Sequence, residues 1–168
     1  KPAILMCNPY YSAYLGGALA VGAEPVFLNA TRETGFLPDL NEIARDAGLM
    51  ARTAALFICS PANPQGAVAS RDYLARALGL ARSHGFMLFV DECYSEIYCG
   101  EAAPPLGVLQ AARALGRDDY RGIVMFSSLS KRSNVPGLRS GFVAGDADIL
   151  KKFWLYRTYQ GCAMSPPV

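Results

Sequence analysis

The 168 residues contain one histidine, one tryptophan and no C-x-x-C pair. A Ser-His-Asp hydrolase, or a zinc site of imidazoles and thiolates, needs more than that. The lone histidine, His84, stands just before Gly85 at the end of a helical stretch, where the helix dipole accounts for it. Lysine is scarce too: Lys1, Lys131, Lys151 and Lys152 are the only four. Sixteen basic against fourteen acidic residues leave a net charge of +2 without any basic run. Nucleic acid and membrane surfaces are therefore not expected partners. No apolar stretch approaches the roughly 20 residues of a spanning helix, and neither a membrane span nor a signal peptide is expected. Neither G-x-G-x-x-G nor G-x-x-x-x-G-K-S/T occurs, which removes the main support for dinucleotide and P-loop readings. The five cysteines (Cys7, Cys59, Cys93, Cys99, Cys162) are odd in number and lie on or beside apolar runs. They read as free thiols of a reducing cytoplasm, most of them core filler.

What is present is a core-forming composition, 52% hydrophobic and 18% charged, enough for one domain with a substantial interior. Continuous apolar runs recur at Ala3–Cys7, Ala54–Cys59, Phe86–Val90 and Gly122–Phe126, with shorter ones at Glu24–Leu28 and Gly141–Ala144. Helical stretches fall between them: Ser12–Val21 closed by Gly22, Asp39–Leu49 with Leu40, Ile43, Ala44 and Ala47 on one face, Arg71–Ser83 capped by Ser70, Pro104–Leu115 in part, and Ala147 to about Tyr159 before Gly161. Strands too apolar to have a wet face, alternating with helices, predict an α/β three-layer sandwich around a mostly parallel sheet. The chain begins at Lys1-Pro2 and ends at Ser165-Pro166-Pro167-Val168, and both ends look cut, so a piece of a longer protein is expected.

In such sheets ligands bind at the carboxyl ends of the strands. There the polar residues gather: Asn8 with Tyr10, Tyr11 and Tyr14, then Asn63, then Asp91 and Tyr94, then Ser127 to Lys131. Lys131 alone among the lysines sits between an apolar strand and a Pro-Gly turn. A lysine held there is expected to lose hydration, which lowers its pKa and makes it nucleophilic. At the reference pKa of about 10.4, roughly one amine in a thousand is neutral at pH 7, so desolvation matters for carbonyl chemistry. The plainer alternative is a lysine that snorkels to solvent.

Four motifs in order, Asn63-Pro64-x-Gly66, Asp91-Glu92-x-Tyr94, Ser128-x-Ser130-Lys131 and Arg139-x-Gly141, resemble the large domain of fold-type I pyridoxal-phosphate enzymes. The likeness is greatest to the class I/II aminotransferases and runs over nearly the whole chain. The wording Ser-Leu-Ser-Lys-Arg-Ser-Asn-Val-Pro-Gly-Leu-Arg-Ser-Gly-Phe is similar to the bacterial succinyldiaminopimelate aminotransferase branch. The resemblance implies that residues 1–168 are the central part of the cofactor-binding large domain, without its upstream phosphate-loop segment and its C-terminal small domain. It implies pyridoxal 5'-phosphate as cofactor, with Lys131 as the Schiff-base lysine that also carries the proton during transfer. Asp91 then pairs with the pyridine nitrogen, Tyr94 and Asn63 bond the 3' oxygen, and Tyr11 stacks on the ring. Ser128, Ser130 and Arg139 hold the phosphate. Glu92 is taken as structural.

The function implied is a ping-pong aminotransferase working between an amino acid, N-succinyl-LL-2,6-diaminopimelate among the candidates, and 2-oxoglutarate. A cytoplasmic homodimer with shared active sites goes with it, and the 157–167 stretch resembles the segment that reaches the neighbouring site. Aspartate aminotransferases carry a side-chain-binding arginine in this region. Gln160 stands there instead, with Arg157 close by, which weakens a strict aspartate specificity. A β-lyase, decarboxylase or aspartate-type aminotransferase of the same fold, and a non-catalytic effector domain of a regulator, are the alternatives.

Overall fold

A computed structural model describes residues 1–100, 103–161 and 164. Six strands form one sheet in the order β2-β1-β3-β4-β5-β6. They are β1 (Ala3–Asn8), β2 (Glu24–Asn29), β3 (Thr53–Cys59), β4 (Met87–Asp91), β5 (Ile123–Ser128) and β6 (Gly141–Gly145). All neighbours are parallel except β6, which runs antiparallel to β5 and pairs Ser128 with Gly141. The mostly parallel α/β sandwich expected from the sequence is what the chain forms.

Alternation along the strands explains the two faces. Leu5, Leu56, Ile58, Leu88, Val90 and Ile123 point to one side. There they meet α2 (Leu40–Arg45), α3 (Ala47–Arg52), α4 (Arg71–His84) and α5 (Val108–Ala114). Ile4, Met6 and Ala55 point to the other side, with Phe57, Met87 and Phe89, against α1 (Ser12–Ala20). On that face Phe57, Phe89 and Phe126 form a row of rings 5.0–6.4 Å apart. The last helix, α7 (Ala147–Tyr159), lies by β6 and lines a groove with Phe126 and Val143.

Capping follows the sequence where a side chain can reach the first turn. The Ser70 hydroxyl accepts from the Tyr73 N–H, and Gly85 ends α4 at φ 74°. The single helix expected over Asp39–Leu49 is corrected to two. Asp39 caps α2, and the Asp46 carboxylate accepts from the Leu49 N–H to start α3. A capping Asp takes a non-helical backbone, here φ −87° and ψ 87°, and that splits the run. Ala44 and Ala47 are exposed rather than part of the apolar face, because the break turns them away. The free-thiol reading holds for the described cysteines, but only two of them fill the core. Cys7 and Cys59 are buried, Cys93 is half-buried and Cys99 is exposed, all four free. Cys162 lies outside the described residues.

Candidate active site

Strands β1, β3, β4 and β5 point the same way, so their carboxyl ends form one rim. Asp91 ends β4 on the face of the aromatic row. Its Oδ2 accepts from the Tyr14 hydroxyl at 2.5 Å, and its Oδ1 accepts from the Cys93 N–H at 3.0 Å. Tyr14 comes from α1, is buried, and stacks on Phe57 at 4.6 Å with a 9° interplanar angle. Among the described residues the one ion pair is Arg52–Glu24, far from this rim. Asp91 is thus a half-buried carboxylate, held by two neutral donors, with no cation beside it.

Two residues past Cys59, the chain turns through Pro61 to Gly66. This brings the Asn63 amide to the Tyr94 hydroxyl, to which it donates at 3.2 Å. The phenol proton of Tyr94 is then free for another acceptor. Burial raises the Tyr94 pKa, with Cys59 and Asp91 adding to it, so the hydroxyl stays a donor. The Cys93 thiol is pushed up to about 12, by burial first and then by its bond to Asp91, while Lys131 pulls it the other way. Cys59 is pushed up to about 11 by burial and then by the charge of Asp91. Neither thiol is a nucleophile at neutral pH.

Past β5 the sequence reading saw no element before the Pro-Gly turn. The structure places a one-turn helix there, α6 (Leu129–Arg132), capped by the Ser128 hydroxyl, which accepts from the Ser130 N–H at 3.1 Å. Ser128 also donates to the Ser140 carbonyl at 3.2 Å. The Lys131 amine reaches over Tyr94, 6.0 Å from the ring centroid. Its expected dehydration is corrected: Lys131 is exposed. It stands three residues past β5, and no apolar wall of the described residues surrounds the amine.

Arg139 caps a 3-10 turn (Pro136–Leu138) at φ 50°, and its Nη1 donates back to the Pro136 carbonyl at 2.9 Å. It occupies the expected rim but is turned on its own loop. Tyr11 is 52% exposed and meets Tyr14 edge-on at 5.8 Å. Its ring has an open face, whereas the neighbouring Tyr14 is committed to Asp91 and Phe57. The Tyr14–Asp91 bond escaped the sequence reading. Its one signal was that Tyr14 lies one helical turn past Tyr11, on the inward face of α1.

The chain matches the family model of aminotransferase class I and II over residues 1–156. It belongs to that family. It is 37% identical over 145 residues to an LL-diaminopimelate aminotransferase of Desulforudis audaxviator, covering 86% of this chain and 35% of that one. A crystal structure of an aminotransferase from Neisseria meningitidis superposes with a TM-score of 0.91 at 51% identity, over 99% of this chain and 41% of that one. The aminotransferase AspB of Helicobacter pylori follows at 38% identity and a TM-score of 0.88, over 98% and 42%. The chain thus spans about a third to two fifths of the length of these relatives.

Aminotransferases of this class are enzymes that use pyridoxal phosphate. The donor set of the rim fits that group. A carboxylate without a cation suits a ring nitrogen that carries a proton. A paired amide and phenol suit a phenolic oxygen, and hydroxyls with a guanidinium suit a phosphate.

Proposed function

We propose that residues 1–168 are the central part of the large domain of a pyridoxal-phosphate aminotransferase. In this reading the intact protein moves an amino group between an amino acid and 2-oxoglutarate by a ping-pong route, as a homodimer in the cytoplasm. The amino donor is of the diaminopimelate type. The names of the curated relatives favour LL-diaminopimelate, and the wording of the 127–142 stretch favours its N-succinyl form. The observation that carries the proposal is the convergence at one sheet rim of the Lys131 amine, the cation-free Asp91 carboxylate and the Asn63–Tyr94 pair.

Pyridoxal phosphate, when bound, supplies an aldehyde that condenses with amines and a ring that accepts electron density from an amino-acid α-carbon. The chain's residues provide the rest. Asp91 would hold a proton on the ring nitrogen. Unit charges about 4 Å apart at an effective dielectric of 20 attract by about 4 kcal/mol, which corresponds to about three pKa units. Tyr14 and the Cys93 N–H keep that carboxylate aimed. Asn63 and Tyr94 would donate to the ring oxygen, and Tyr11 would cover the ring face. Ser128, Ser130 and Arg139 would hold the phosphate. Lys131 would hold the cofactor through Nζ and serve as the base for the proton at the α-carbon.

The test uses the intact protein. Wild type is expected to show visible cofactor absorbance and keto-acid-dependent transfer from a donor panel that includes both diaminopimelate forms and aspartate. Lys131→Ala is expected to lose both. Retention of the absorbance by Lys131→Ala, or release of ammonia and pyruvate from cystathionine without a keto acid, would overturn the proposal.

A further inference from the structure

Glu92 sits between two residues of the proposed site, directly after Asp91 and two before Tyr94. Alternation at the end of β4 sends Asp91 to the aromatic face and Glu92 to the opposite, helix-covered face. There its Oε1 accepts from the backbone N–H of Val108 at 2.6 Å. Val108 opens α5 and is fully buried. A carboxylate at that place satisfies an otherwise orphaned N–H and meets the positive end of the helix.

Gly107, the residue before α5, points to the same contact. Its φ of −79° is open to any residue, so backbone freedom does not explain the glycine. Space does. A Cβ there would lie 3.0 Å from Oε2 and 3.4 Å from Oε1 of Glu92. The carboxylate is pressed against bare backbone, with room for nothing more.

The segment it belongs to is a tight turn. The Glu92 N–H donates to the Phe126 carbonyl, Ser95 donates back to Glu92, and Ile97 donates back to Tyr94. Asp91 faces Tyr14 above, and Tyr94 faces Asn63 at the rim. From below, the Glu92 carboxylate ties this turn to the helical layer. Burial raises the Glu92 pKa and the Val108 bond opposes it, as expected of a carboxylate enclosed against one donor.

We propose that Glu92 is a positioning residue, which pins the strand-end turn to the start of α5 and so sets where the Asp91 carboxylate and the Tyr94 hydroxyl stand toward the cofactor. The proposal rests on the functional reading above.

The experiment measures, on the intact protein, the Kd for pyridoxal phosphate, the pH midpoint of its visible absorbance, and the Tm. Glu92→Ala is expected to weaken cofactor binding about tenfold, the scale of a lost charge-assisted hydrogen bond, and to move the midpoint. Glu92→Gln keeps a carbonyl oxygen for Val108 and is expected to stay within about twofold of wild type. Gly107→Ala pushes a methyl against Oε2 and is expected to move Kd and midpoint in the direction of Glu92→Ala, with little change in Tm. It serves where Glu92→Ala does not fold. Ser70→Ala, which removes the bond from the Tyr73 N–H that caps α4 and involves no residue of the proposed site, is the comparison for general destabilisation. If Glu92→Ala, or Gly107→Ala in its place, changes only the Tm as Ser70→Ala does, the positioning role is wrong and the functional reading stands. A wild type without cofactor absorbance overturns the functional reading itself, and this proposal with it.

Discussion

Replacing Tyr14 by phenylalanine isolates one bond. The ring keeps its place on Phe57, and only the hydroxyl that donates to Asp91 at 2.5 Å is lost. Hydrogen bonds to charged groups contribute about 1.5–3 kcal/mol, so Tyr14→Phe should cost about that much at pH 8. Burial first, then the charge of Asp91, push the Tyr14 hydroxyl's pKa far above its ordinary 10. The folded protein therefore keeps a proton that the unfolded chain releases near pH 10. The stability from this group is complete below that pH and falls as pH rises, by about 1.4 kcal/mol per unit. Tyr14→Phe has no such proton. Its deficit should hold steady from pH 7 to 9, then shrink above pH 10 and vanish about one to two units higher. Tyr73, also raised by burial, is common to both proteins and cancels in the difference. Denaturant unfolding of both intact proteins at pH 8, 9, 10 and 11 measures this. A deficit under about 0.5 kcal/mol at pH 8, or one that stays constant to pH 11, would refute the reasoning.

Other sites give independent checks. Asp146 is buried and accepts from the backbone N–H groups of Gly122, Asp148 and Ile149 at 2.7–3.2 Å. Burial alone would raise its pKa, but these donors outweigh it and hold the carboxyl below its ordinary 3.8. Asp146→Asn should lose about 2–3 kcal/mol at pH 7, and the gap in denaturant midpoint should close as pH falls below about 4, where the wild-type advantage is titrated away. Gly145 holds φ 141° with the Ile123 carbonyl against the place of a Cβ, so Gly145→Ala should cost more than about 3 kcal/mol, read as lost soluble yield or lowered Tm. Arg139→Lys keeps the charge but loses the planar fork that the proposed phosphate role relies on. It should weaken pyridoxal phosphate about tenfold and leave the phosphate-free pyridoxal unchanged, which a pair of cofactor titrations decides.

The four inner strands β1, β3, β4 and β5 were legible because each is a largely apolar run bounded by turn residues, as in a sheet covered on both faces. Helix α4 was legible from Ser70 and Gly85, whose side chain and backbone freedom are local. What failed was non-local or depended on a choice between two local options. Asp46 could continue a helix or cap the next one, and hydrophobic periodicity does not separate those. Tyr14 and Asp91 are 77 positions apart, and only the stacking of α1 over β3 and β4 brings them together. The side-chain directions of Lys131 and Arg139 are set by α6 and the 3-10 turn, two single-turn elements with no hydrophobic period to read.

The motif spacing itself has a geometric cause. Strand β5 carries the chain up to the rim, and β6 carries it back down, with Ser128 opposite Gly141 in antiparallel register. No crossover helix is needed, so the twelve residues between those partners, Leu129 to Ser140, all stay at the rim. Lys131 lies three past the last paired residue of β5, and Arg139 lies two before the first of β6. An amine and a guanidinium eight positions apart in sequence are thereby returned to one edge of the sheet. Had β6 been a parallel strand, the connection would have crossed the sheet face and delivered Arg139 to the opposite edge. The antiparallel turn of the last strand is therefore what allows a single loop to bring both the Lys131 amine and the Arg139 guanidinium to the rim where β4 ends in Asp91.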